Sequence, residues 1–106
     1  MDARTLNRLE ARARILKALA HPTRLFIVEE LASGERCVCK LQEGIGADMS
    51  TVSKHLSLLK SAGLVDDEKR GSQVFYTLRL CCVSRFLDCA ESAVRENASR
   101  QLEAAR

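Results

Sequence analysis

The chain has 106 residues with 46% hydrophobic content, which fits one domain with a modest core and leaves no room for a second, catalytic one. It has no Trp, one Tyr and three Phe, too few aromatics for a base-stacking platform or a large ligand pocket, which argues against a small-molecule enzyme. Seventeen basic against 14 acidic residues give a formal charge of +3, which permits a nucleic-acid partner without demanding one.

The opening segment MDARTLNRLEARARILK is charged throughout and has no uninterrupted apolar run, so neither a secretory signal nor a membrane span is expected. A cytoplasmic location follows as the expectation. Leu6, Leu9, Ala13, Leu16 and Leu19 recur at helical spacing among Arg and Glu, which predicts an amphipathic first helix ending at His21-Pro22. Pro22 suits the first turn of a second helix, whose apolar positions Leu25, Val28 and Leu31 run to a stop at Ser33-Gly34. A third helix is predicted from Arg36 or Cys37 to about Glu43, closed by a Gly44-Ile45-Gly46 turn.

Asp48 offers an N-cap for a fourth helix, Met49 to about Ser61. At roughly 100° per residue, Val52, Leu56 and Leu59 share one arc, Ser50, Lys54, Ser57 and Ser61 the opposite one, and His55 the border. Two short helices joined by a Gly-containing turn make a helix-turn-helix. Ala62-Gly63 ends the fourth helix, and Leu64 to Lys69 pairs with Gln73 to Leu78 as a hairpin with the basic tip Arg70-Gly71-Ser72. Val83, Leu87, Ala90 and Val94 then mark a terminal helix that continues past Leu102, and a partner chain is expected to cover its stripe. The whole reads as a single mainly α domain, 1–106, with a β-hairpin wing.

From Leu16 to Val94 the segments LKALAHPTRLFIVEEL, ERCVCKL, MSTVSKHLSLLKSAGLV and DDEKRGSQVFYTL resemble the ArsR/SmtB family of metal-responsive repressors. The resemblance implies a homodimeric winged helix-turn-helix protein, dimerising through its terminal helices, that holds DNA when ion-free and lets go on binding an ion. It implies that the fourth helix reads DNA through Ser50, Thr51, Ser53, Lys54 and His55, with Lys69, Arg70 and Gln73 on the wing. Short hydroxylic side chains and a cation near the start of such a helix suit close approach to base edges and phosphates. A two-fold dimer calls for double-stranded operator DNA with an imperfect inverted repeat. No cofactor is required for that binding.

The five cysteines, Cys37, Cys39, Cys81, Cys82 and Cys89, read as thiols in a reducing compartment. All-sulfur ligation selects soft ions, with arsenite the leading inducer and antimonite, cadmium or lead as alternatives. On a regular helix Cys37 and Cys39 would lie roughly 200° apart, so an ion held by both would have to unwind the first helical turn. The family's arsenic-type motif often has a third cysteine where this chain has Gln42. Completion therefore falls to Cys81, Cys82 or Cys89, of which Cys82 and Cys89 would sit about 10 Å apart along a straight helix. A disulfide or polysulfide bridge between paired cysteines, making a redox or sulfide sensor, is the competing signal. Neither His has the context of a nucleophile's base, and no catalysis is expected.

Overall fold

A computed structural model describes residues 1–80 and 82–106; Cys81 lies outside the described residues. In chain order it contains α1 (Ala3–Leu19), α2 (Pro22–Ala32), β1 (Arg36–Cys37), α3 (Val38–Ile45), α4 (Met49–Ser61), β2 (Val65–Arg70), β3 (Gln73–Leu78) and α5 (Val83–Ala104). Among the described residues no helix is long and apolar enough to cross a membrane.

Three of the helices begin where a side-chain oxygen or nitrogen can satisfy a free N–H of the first turn. Asp2 Oδ1 accepts the Thr5 N–H at 2.7 Å, and Asp48 Oδ1 accepts the Thr51 N–H at 2.8 Å. His21 caps α2 through Nδ1, which accepts the Thr23 N–H at 3.0 Å, with Pro22 in the first turn. The arc predicted for α4 is the buried one: Val52, Leu56 and Leu59 join Leu19, Ile27, Val28, Leu31, Leu41, Leu64, Val65 and Val83 in one core.

Two differences from the pattern expected of the sequence bear on function. The wing is a three-stranded sheet in the order β1-β3-β2, because the two residues Arg36 and Cys37 pair with Tyr76 and Phe75 of β3. The third helix starts at Val38 and runs on through Gly44 to Ile45, so Gly44 is helical and only Gly46, at φ 76°, makes the left-handed exit. Gly44 is small for another reason: a Cβ there would come within 2.7 Å of the Phe26 ring.

The end helices leave apolar residues uncovered. Leu6, Leu9 and Leu16 on α1 and Phe86, Val94 and Leu102 on α5 are exposed, whereas Val83 and Leu87 pack on the core. A helix that shows an apolar stripe to solvent asks for a neighbour.

Candidate functional site

The DNA-facing candidate is α4 and the turn before it. Gly46 closes α3 by donating its N–H to the Gln42 carbonyl at 2.8 Å, and the Gln42 side chain donates to the Ala47 carbonyl at 3.3 Å. Gln42 thus braces the α3–α4 turn from both its backbone and its side chain. From sequence it registers only as a missing cysteine. Asp48 then caps α4 and also accepts the Ser50 hydroxyl at 3.0 Å; these bonds hold its carboxyl below the usual carboxylate range, Thr51 contributing most.

Ser50, Thr51, Ser53 and Lys54 are all exposed on α4, as are Ser57 and Ser61 further along. His55 faces the other way. Its ring lies 4.4 Å from that of His21, and its Nδ1 accepts from Arg24 at 3.4 Å. Burial, then His21 and Arg24, push its pKa down, favouring the neutral imidazole. His55 is therefore placed to fix α4 against α2, with Arg24 Nε buried beside it.

On the wing, Lys69 and Gln73 are exposed, and Gly71, at φ 63°, takes the first central position of the two-residue turn, where glycine is favoured. Among the described residues Lys54 and Lys69 make no ion pair, whereas Lys60 is held by Asp67 at 2.8 Å. Arg70 is engaged. Its guanidinium forks onto Glu35 at 2.6 and 2.8 Å, reaches Glu68 at 3.0 Å and lies 4.7 Å from the centre of the Phe75 ring.

The cysteines divide. Cys37 is the last residue of β1 and the N-cap of α3, with φ −69° and ψ 145°, and its Sγ accepts the Cys39 N–H at 3.3 Å. Because Cys37 stands outside the helix, the opposed geometry expected of two helical residues does not arise, and the two sulfurs form a disulfide rather than standing as free thiols. Cys37 is buried and Cys39 exposed, so the pair has one face in the core and one open to solvent. Cys82 and Cys89, at and beyond the start of α5, are exposed. Among the described residues no three Cys, His, Asp or Glu side chains cluster to hold a metal ion, so Cys37 and Cys39 are brought together without Cys82 or Cys89.

Residues 21–67 match the family model for bacterial regulatory proteins of the arsR family. Over 70 residues the chain is 41% identical to the HTH-type transcriptional repressor SmtB of Mycobacterium tuberculosis, a stretch covering 66% of this chain and 52% of SmtB. The match thus spans about half the length of that relative. A helix-turn-helix transcriptional regulator of Methanocaldococcus jannaschii is 42% identical over 72 residues, 67% of this chain and 81% of its own length. Among solved structures, the homodimeric winged helix-turn-helix DNA-binding domain of a Mycobacterium bovis regulator superposes with TM-score 0.78 at 32% identity, covering 94% of this chain and 93% of that domain.

Proposed function

Since this chain belongs to the arsR family of bacterial transcriptional regulators, with their winged helix-turn-helix fold, we propose that it represses transcription as a homodimer and that the Cys37–Cys39 pair releases it from its operator. The exposed apolar stripes of α1 and α5 meet across the dimer axis in this reading, which sets two copies of α4 against one face of the duplex. Half-sites then fall about one helical turn apart in an imperfect inverted repeat. Ser50, Thr51, Ser53 and Lys54 reach base edges and phosphates, and Lys69 and Gln73 contact the flanking backbone.

The observation that carries the inducer assignment is the position of Cys37, which belongs at once to the wing sheet and to the cap of α3. With both sulfurs reduced, the pair presents two convergent thiolates, the donor set preferred by a soft, thiophilic species of the arsenite class. A third ligand comes from outside the pair: water, a small thiol or a cysteine at the start of α5. Reducing the disulfide and spacing the two sulfurs around an ion moves the Cys37 sulfur from the place where it accepts the Cys39 N–H, which disturbs the first turn of α3. The disturbance passes along α3 to the turn braced by Gln42 and so to α4.

The disulfide supports a second signal at the same residues: the dithiol loses two protons and two electrons to a thiol oxidant and closes the sulfur–sulfur bond. One titration separates the possibilities. Reduced protein on a labelled duplex from upstream of its own gene is titrated with arsenite, antimonite, cadmium, lead, zinc and diamide. Wild type and Cys82→Ser/Cys89→Ser are expected to be released, and Cys37→Ser/Cys39→Ser is expected to bind and stay bound. Release of the Cys37→Ser/Cys39→Ser protein by the same agents overturns the assignment. A response to diamide with none to arsenite selects the redox signal.

A further inference from the structure

Arg70 has the appearance of a phosphate ligand, a cation at the tip of a wing. The structure gives it other work. Both of its terminal nitrogens are committed to the Glu35 carboxylate in a fork at 2.6 and 2.8 Å, one of them also to Glu68 at 3.0 Å. Paired, parallel N–H bonds of this kind fix orientation as well as distance. The guanidinium face meanwhile lies over Phe75, within cation–π range. The two carboxylates hold the Arg70 charge more firmly than in an isolated arginine.

What Arg70 touches leads straight to the sulfur pair. Glu35 immediately precedes β1, whose two residues are Arg36 and Cys37. Phe75, beneath the guanidinium, is the register partner of Cys37 on one side and of Glu68 on the other. The same short strand is thus tied to the wing by its ladder to β3 and by the fork from Glu35 to the last residue of β2. A strand of two residues has little pairing of its own to hold it, so the fork adds to what keeps it in register.

Resting on the inducer reading above, we propose that Arg70 is a positioning residue that latches the wing to the segment carrying Cys37, so that chemistry at the sulfur pair reaches DNA through the wing as well as through α4. Movement of Cys37 shifts Phe75 and Glu35 together, which tilts the hairpin and carries Lys69 and Gln73 off the backbone. The charge of Arg70 serves the latch and is not a ligand for phosphate.

Exchanging the two charges tests this directly. In a Glu68→Gln background, which removes the nearby carboxylate, Arg70→Glu alone is expected to weaken operator binding by about tenfold or more, since it breaks the fork and places an anion on the wing. Adding Glu35→Arg re-forms the pair in reverse and is expected to restore affinity to within about threefold of the background, with an unchanged salt dependence. If Arg70 instead binds phosphate, the exchanged protein stays as weak as Arg70→Glu, and the slope of log K against log salt falls by about 0.9 for each phosphate no longer neutralised. That result overturns the proposal.

A second arm uses Glu35→Gln, which leaves the arginine charge in place and weakens the fork. The ratio of operator Kd with and without arsenite is expected to shrink by about twofold to fivefold relative to wild type, the range of a partly exposed ion pair. An undiminished ratio overturns the coupling. Should wild type answer neither arsenite nor diamide, the inducer reading falls, while the charge exchange still decides whether Arg70 positions the wing.

Discussion

Replacing Gly44 by Ala separates two explanations of why α3 carries a glycine. If Gly44 merely weakens a helix, alanine should stabilise the protein by roughly 1 kcal/mol, the difference in helix propensity. The structure predicts that this gain is lost. An added Cβ would lie 2.7 Å from Phe26 Cζ and 3.1 Å from Cε1, so the partly exposed ring must swing aside from α3. Moving the free end of one ring costs about the lower end of the 1–3 kcal/mol of core overpacking, which offsets the propensity gain and leaves the variant about as stable as the parent.

Urea unfolding measures this, with protomer concentration held constant because folding and association are linked in a dimer. The decisive comparison repeats the substitution in a Phe26→Leu background, where the clash is relieved and alanine is expected to stabilise by about 1 kcal/mol. Equal stabilisation in both backgrounds would refute the close-packing account. Gly46→Ala supplies the contrast: nothing lies within 4 Å of its added Cβ, yet φ 76° puts the residue in the left-handed region, at a cost of about 1–2 kcal/mol in either background.

Further predictions concern α4. Because the folded-state pKa of His55 is depressed, its contribution to stability is complete above the ordinary histidine range and declines as pH falls through that range toward the folded value, at up to about 1.4 kcal/mol per pH unit for one proton. Urea midpoints between pH 7.5 and 5.5 are expected to fall less steeply for His55→Gln than for wild type, and parallel curves would exclude His55 as the titrating group. Lys54→Ala is expected to weaken operator binding uniformly across DNA sequences and to lower the salt slope by about 0.9 per phosphate, read by fluorescence anisotropy at several salt concentrations. Asp48→Ala removes the acceptor of the Thr51 N–H and the Ser50 hydroxyl, so it should lower both the melting temperature and operator affinity; a drop in melting temperature alone would detach the cap from DNA reading.

Helical periodicity makes α4 legible in the chain itself. Val52, Leu56 and Leu59 recur at intervals only a helix can bring to one side, and all three are buried. The wing tip is legible from Gly71 between two strand-forming runs. No comparable local signal marks β1, since two residues have no pattern and become a strand only because β3 lies beside them. Without β1, the two sulfurs are misplaced onto one helix. Caps are recognised by oxygen-bearing side chains, so a cysteine whose sulfur accepts the Cys39 N–H reads from sequence as part of the helix it precedes. The Glu35–Arg70 fork spans 35 positions of sequence and joins two residues that each look like ordinary surface charge.

In the proposed release mechanism, the position of Cys37 also bears on how little the protein must change to let go of DNA. A hundredfold loss of operator affinity corresponds to about 2.8 kcal/mol, or about 1.4 kcal/mol for each protomer of a dimer. One helix cap contributes about 0.5–2 kcal/mol, and one hydrogen bond about 0.5–1.5 kcal/mol. Cys37 holds the cap of α3 and sits in the ladder to β3, so displacing its sulfur from the disulfide position to hold an ion bears on both at once. Disturbance of these few interactions therefore covers the required energy with the core of α2, α4 and β2 intact. Such a switch needs no unfolding and reverses when the sulfur is freed. It requires only that α4 and the wing, the two elements proposed to meet DNA, be linked to the segment that carries Cys37, α4 through α3 and the Gln42 brace and the wing through the Glu35–Arg70 fork.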